Sequence, residues 1–268
     1  MVDTRIPPVR EMDIDRPCAA RVYDAFLGGS HNFGCERAFA ERLERELPDI
    51  GETYRENRAF LRRVVEYLLA HGVRQFIDLG SGIPTIGHVH EVARRRTRDF
   101  RVLYVDNEPL TVAHSKPLLA GEPRVEIIRA DCRDPDSVLK SPEAAELLDP
   151  AEPVGLLMAP VLHFIPDSDD PVALVETYRD ALVPGSHLVI SHLTGSHAPD
   201  EMRILAGHYA ETADPLQPRE VEWIEKLFGD FEVVRPGTTF LSDWRPEPGR
   251  TTAKQPYCLL HGGVARKH

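Results

Sequence analysis

No stretch of the chain is apolar for long enough to cross a bilayer. The longest apolar run, GLLMAPVLHFI (155–165), is too short and contains a proline and a histidine. The N-terminus, MVDTRIPPVREMDIDRP, holds no apolar segment and does not read as a secretory leader. A cytoplasmic protein with no membrane partner is expected. Cysteine is scarce. Cys18, Cys35, Cys132 and Cys258 lie far apart and form no CxxC pair, which favours reduced thiols over disulfides or a thiolate metal site. Positive charge is in deficit as well. The net charge of −11 repels phosphate backbones, so no nucleic-acid partner is expected.

What remains is an ordinary globular composition, 42% hydrophobic and 28% charged over 268 residues, enough to bury a core without cross-links. Residues 1–17 are rich in proline and charge and read as an arm. Helical patterns at 18–27 and 36–47 are broken by Gly28-Gly29, and Pro48 stops the second. TYRENRAFLRRVVEYLLAHG (53–72) is an amphipathic helix with Phe60, Leu61, Val64, Val65, Leu68 and Leu69 on one stripe.

Beyond residue 73 the period changes. RQFIDLG, RVLYVD, RVEIIRAD, PVGLLMAP and SHLVISHL read as strands, alternating with helical segments that include one over 135–148. Helices near 200–211 and 218–228 follow, then the strands FEVVR and PYCLLHGGVAR. This alternation predicts an α/β fold: a doubly wound, mostly parallel sheet of about seven strands with helices on both faces. The expected division is an arm at 1–17, a helical lid at 18–72 and the sheet domain at 73–268. The ligand belongs at the carboxyl ends of the strands.

Those ends carry the chemistry. Asp78 closes the first strand, and Gly80-Ser81-Gly82 lets the backbone turn tightly beside a ligand. The third glycine of the dinucleotide fingerprint is missing, and Pro84 has no N–H for a phosphate. A ligand without phosphate is favoured, with an NAD(P)-dependent oxidoreductase as the alternative class. Asp106, 24 residues after Gly82, suits a ribose diol. It can equally cap the next helix, as can Asn107. Asp131 can accept from an adenine amino group while the Cys132 N–H meets a ring nitrogen, although Asp134 is better placed as a helix cap. Met158, Ala159 and Pro160 would line the cleft. His163, His192 and His197 sit in loops after the fourth and fifth strands on this reading. His163 and His192 are candidate bases, and a satisfied core histidine is the plainer alternative. HVHE (88–91) does not put two histidines on one helix face, so no metal is expected. RRRTR (94–98) complements a helix C-terminus, and Trp223 and Phe228 read as helix core.

The segments RVYDAFLGGSHNF, RENRAFLRR, QFIDLGSGIPT, HEVA, YVDNEP, ADCRDP, VLHFIPD and LVPGSHLVISH span almost the entire chain. Together they resemble class I S-adenosylmethionine-dependent methyltransferases, and most closely the S-adenosyl methyltransferase-like family once known only as a domain of unknown function. The resemblance implies a Rossmann-like fold with S-adenosyl-L-methionine as cofactor. Gly80 and Gly82 would flank its methionine part, Asp78 its ammonium, Asp106 its ribose with Asn107 beside the adenosine, and Asp131 and Cys132 its adenine. The chain departs from the common pattern at Pro84, and at Gly155, where many such enzymes carry an acid. An N-terminal lid would bring Tyr23, Gly28, Gly29, Asn32 and Phe33 over the cofactor, with Arg55, Asn57 and Arg58 near its carboxylate. The implied activity is O- or N-methylation of a small-molecule acceptor. A non-catalytic S-adenosylmethionine-binding protein is a further alternative, and both monomer and homodimer stay open.

Overall fold

The computed structural model describes residues 14–84, 87–247 and 259–268; residues 1–13, Thr85 and Cys258 lie outside them. Five parallel strands form the centre: β1 (Gln75–Leu79), β2 (Arg101–Asp106), β3 (Val125–Arg129), β4 (Val154–Met158) and β5 (His187–Leu193). The two-residue strands β6 (Glu232–Val233) and β7 (Thr239–Phe240) pair with β8 (Leu260–Arg266), which runs antiparallel to β5. The order is β3-β2-β1-β4-β5-β8-β6. The chain leaves β1 toward β2 and β3 on one side and returns to β4 on the other. The order therefore reverses between β1 and β4, and a crevice opens above their carboxyl ends.

Strands β1, β4 and β5 are buried along their whole length, as expected for a sheet covered on both faces. Side-chain alternation divides their residues between two cores. Phe76, Leu157 and Val189 face a layer built from α1 (Ala19–Phe26), α2 (Gly34–Glu46), α3 (Gly51–Ala70), α4 (Val89–Arg96), α5 (Pro109–Leu119) and α9 (Pro199–Tyr209). Ile77, Leu156 and Leu188 face α6 (Pro135–Leu139), α7 (Pro142–Leu147), α8 (Pro171–Ala181) and α10 (Val221–Lys226). The apolar stripe of α3 is the seam with the sheet. It packs so closely that a Cβ on Gly155 would stand 2.9 Å from Leu68 and 3.0 Å from Phe76. The position where an acid is common is thus filled here by helix packing.

Several local expectations change. The helix expected over 135–148 is two helices, because Pro142 has no N–H to continue the ladder and Ser141 caps α7 through the Ala144 amide. Helix α5 is capped by Glu108, whose longer side chain reaches the Thr111 amide, so neither Asp106 nor Asn107 is the cap. His192 is not in a loop: it lies inside β5, opposite His261 in β8. No helix among the described residues is long and apolar enough to cross a membrane.

Candidate functional site

A cavity of about 1070 Å³ occupies the crevice, floored by the strand tips and roofed by α1, α3, α9 and the segment after α9. The β1–α4 turn is folded back onto β2. The Gly80 and Ser81 amides donate to the Val105 carbonyl at 2.8 and 3.1 Å, and the Gly82 amide donates to Asp106 Oδ2 at 2.9 Å. Gly80 and Gly82 have φ of +65° and +64°, a region that favours glycine. A Cβ on Gly80 would also collide with Val161, at 2.4 Å.

Two buried carboxylates stand on this floor. Asp106 accepts from the Gly82 and Glu108 amides, yet burial still pushes its carboxyl up to about 6. Burial pushes Asp78 up to about 7 against the pull of Arg58, with Asp106 adding to the rise. The Arg58 guanidinium lies 5.3 Å from the centre of the Tyr23 ring, and its Nε has no hydrogen-bond partner among the described residues. At the β3 tip, Arg133 clasps Asp131 through Nε and Nη2 and reaches Asp169 through Nη1 at 2.7 Å. Burial raises the Asp131 carboxyl, but Arg133 and Asn107 outweigh it and the net shift is downward. Burial pushes the Cys132 thiol up to about 12, so it is an inert thiol.

The roof is locked to the floor by charge. Arg21, almost fully buried, pairs with Glu36 at 2.8 Å and with Glu108 at 3.2 Å. Glu36 also accepts from the Phe33 amide, and Asp214 accepts from the Ala19 amide at the start of α1. Tyr23 accepts a bond from Asn57 and donates to the Tyr54 carbonyl, while Ser191 of β5 donates to Asn57.

The structure brings most of the sequence-selected residues to this cavity. Tyr23, Asn57 and Arg58 line it from the roof. Asp78, Gly80, Ser81 and Gly82 line it from β1, Asp106 and Asn107 from β2, Asp131 and Cys132 from β3, and Ala159 and His163 from the β4 side. Others are absent from its wall. Met158 points into the opposite core. Arg55 is half exposed and pairs with Glu52. Gly28, Gly29, Asn32 and Phe33 do not line it either. Their loop closes on Asp24, whose Oδ2 accepts from the His31 amide and Asn32 Nδ2, both at 2.8 Å. Gly29 is required because a Cβ there would lie 2.0 Å from Asp24 Oδ1. The double glycine therefore serves the turn, while Tyr23, Asp24 and Leu27 of the same segment reach the cavity.

The histidines divide similarly. His192 is enclosed: Nδ1 bonds the Leu193 carbonyl at 2.7 Å and Nε2 faces Arg219 Nη1 at 3.2 Å, while burial holds its pKa down to about 3. His163 lines the cavity as a neutral ring, its pKa held well below the ordinary value by burial, His192 and Arg219. The Leu193 amide donates to its Nδ1 over a long 3.4 Å, which puts the ring proton on Nε2. Sequence reasoning passed over Tyr54, Tyr209 and Asp214, which line the roof. Tyr54 read only as part of a helix, and nothing local marks the other two.

A profile of the S-adenosyl methyltransferase family matches residues 6–268. The chain belongs to that family. It is 37% identical to a candidate methyltransferase of known structure from Thermobifida fusca YX, covering 98% of this chain and 99% of that one with a TM-score of 0.87. A DUF574 family protein from Streptomyces avermitilis MA-4680 matches with 35% identity, 96% and 100% coverage and a TM-score of 0.90. A carboxy-S-adenosyl-L-methionine synthase from Pseudomonas fluorescens SBW25 is 30% identical over 204 residues, 75% of this chain and 76% of that protein.

The protein is thus an S-adenosyl-L-methionine-dependent methyltransferase, and the oxidoreductase alternative is set aside. The cavity fits this cofactor. Among the described residues seven carboxyl groups and three guanidiniums line it, a balance suited to a ligand with a sulfonium and an ammonium against one carboxylate, and opposed to a pyrophosphate.

Proposed function

We propose that this methyltransferase holds its cofactor along the β1–β3 tips and methylates a small-molecule acceptor, at oxygen or nitrogen, beneath the roof. The observation that carries the reading is the cavity over the strand tips, whose volume of about 1070 Å³ lies at the upper end of the roughly 300–1000 Å³ usual for a ligand site. Asp106 keeps acceptor capacity for two ribose hydroxyls beyond the two amides it already binds. Asp78 is the partner for the ammonium and Arg58 for the carboxylate of the amino-acid end. Asp131 and Cys132 flank the adenine. When bound, S-adenosyl-L-methionine would supply an electrophilic methyl group to the acceptor's lone pair, the carbon–sulfur electron pair staying on sulfur and the acceptor's O–H or N–H proton leaving to solvent. The chain contributes orientation and exclusion of water, and such positioning is worth about 7–11 kcal/mol.

Calorimetry with S-adenosyl-L-methionine, S-adenosylhomocysteine and NAD tests the cofactor assignment. Binding of the first two and silence of the third is the expected result. No heat from S-adenosylhomocysteine at millimolar concentration overturns it. Methyl transfer from labelled cofactor across a panel of small hydroxyl and amine compounds tests the acceptor class; labelling of polymers alone refutes it.

A further inference from the structure

Part of the cavity is walled by aromatic rings. Tyr54 of α3 and Tyr209 of α9 both line it and share a hydroxyl–hydroxyl hydrogen bond of 2.9 Å. Phe164 stands 6.1 Å from Tyr209, and Tyr23 meets Tyr54 edge-on at 5.4 Å. Phe26 stacks behind Tyr54 at 4.2 Å and Phe39 meets Tyr209 at 5.2 Å, which holds the wall in place. The tyrosine hydroxyls already bond one another, and that of Tyr23 is held by Asn57 and the Tyr54 carbonyl. Ring bodies, more than polar tips, are what this wall offers a ligand.

Arg58 sits against the Tyr23 ring at one end of this wall, so its uncharged part is formed by Tyr54, Tyr209 and Phe164.

We propose that the acceptor is a planar aromatic small molecule seated against Tyr54, Tyr209 and Phe164. This rests on reading the cavity as the methyl-transfer site. Fixed rings favour an aromatic guest through edge-to-face and offset contacts.

The test is calorimetry on protein saturated with S-adenosylhomocysteine, titrated with indole, tryptamine and cyclohexylamine. Indole and tryptamine bind about tenfold more tightly than cyclohexylamine. Tyr209→Leu weakens indole about fivefold and Tyr209→Phe restores it, with S-adenosylhomocysteine affinity unchanged in both. Cyclohexylamine matching tryptamine, or silence of every probe on the loaded protein, overturns the proposal. Failure of S-adenosylhomocysteine itself to bind instead overturns the cofactor reading and this inference with it.

Discussion

The floor and the roof of the cavity are built by different means. On the floor Asp106 and Asp131 are fixed by the strands that lead to them and by neighbouring backbone amides. Gly82 donates to Asp106, and the Ala130 amide donates to the Asp106 carbonyl at 3.1 Å. The roof is assembled by side chains far apart in sequence: Arg21 with Glu108, Asp214 with the start of α1, Ser191 with Asn57 and Tyr54 with Tyr209. A floor made of register survives the loss of a side chain. A roof made of long-range pairs does not. Floor substitutions should therefore appear in cofactor affinity, and roof substitutions in stability and in the acceptor.

The strongest way to break this contrast is Arg21→Met. It strands Glu36 and Glu108, two buried carboxylates, without their cation. Removing one partner of such a cluster costs about 3–5 kcal/mol, to be read by urea denaturation. A loss below about 1 kcal/mol, typical of an exposed pair, would show that this cluster does not lock the roof. Asp106→Ala comes next. Hydrogen bonds to a charged group are worth about 1.5–3 kcal/mol each, so cofactor affinity should fall at least about a hundredfold by calorimetry. Gly29→Ala sharpens the comparison from the other side. The new methyl group collides with Asp24, costing about 1–3 kcal/mol of stability, with cofactor affinity unchanged. A parallel fall in affinity would return the double-glycine loop to the binding site.

The same contrast explains what could be read in the sequence. Alternating strand and helix patterns carried the parallel sheet, and the tips of β1, β2 and β3 announced themselves by an Asp or Gly at or just after an apolar run. Asp78, Gly82, Asp106 and Asp131 were therefore legible, and all four line the cavity. The roof was not. Asn32 offers the same hydrogen-bonding groups whether it faces a cofactor or Asp24, and only the folded turn decides. Tyr209 reaches the cavity because α9 packs near α2 and α3, a contact with no local trace. His192 looked like a loop residue because it follows the apolar run LVIS, whereas pairing with β8 carries β5 on through Leu193.

A smaller effect should follow pH. Asp78 and Asp106 titrate near 7 and 6 in the folded protein, against about 3.9 in an unfolded chain. A carboxyl raised in this way favours folding when protonated. Its contribution is fully present below about pH 4 and is lost as the pH rises through its folded value. Stability of the cofactor-free protein, measured relative to Asp78→Asn, should therefore fall between about pH 4 and 7. Cofactor affinity should rise toward pH 7 and above, because the ammonium prefers an ionised partner. If affinity keeps the same pH slope in Asp78→Asn, the ammonium has another partner.

The smallest expected effect concerns His163. It is the one histidine lining the cavity among the described residues, and the obvious choice for a base. Its neighbours argue otherwise. Burial, His192 and Arg219 all oppose its protonation, and the Leu193 amide occupies Nδ1. The ring is left as a fixed Nε2–H donor that does not titrate in the working range. His163→Gln keeps an amide donor at that position. Turnover should stay within about threefold, against the roughly 10²–10⁴ lost with a general base, and the kcat–pH profile should have no inflection near the ordinary imidazole value. An inflection that vanishes in His163→Gln would make this residue the base after all, and would mean that closure over a bound acceptor changes the surroundings of its ring.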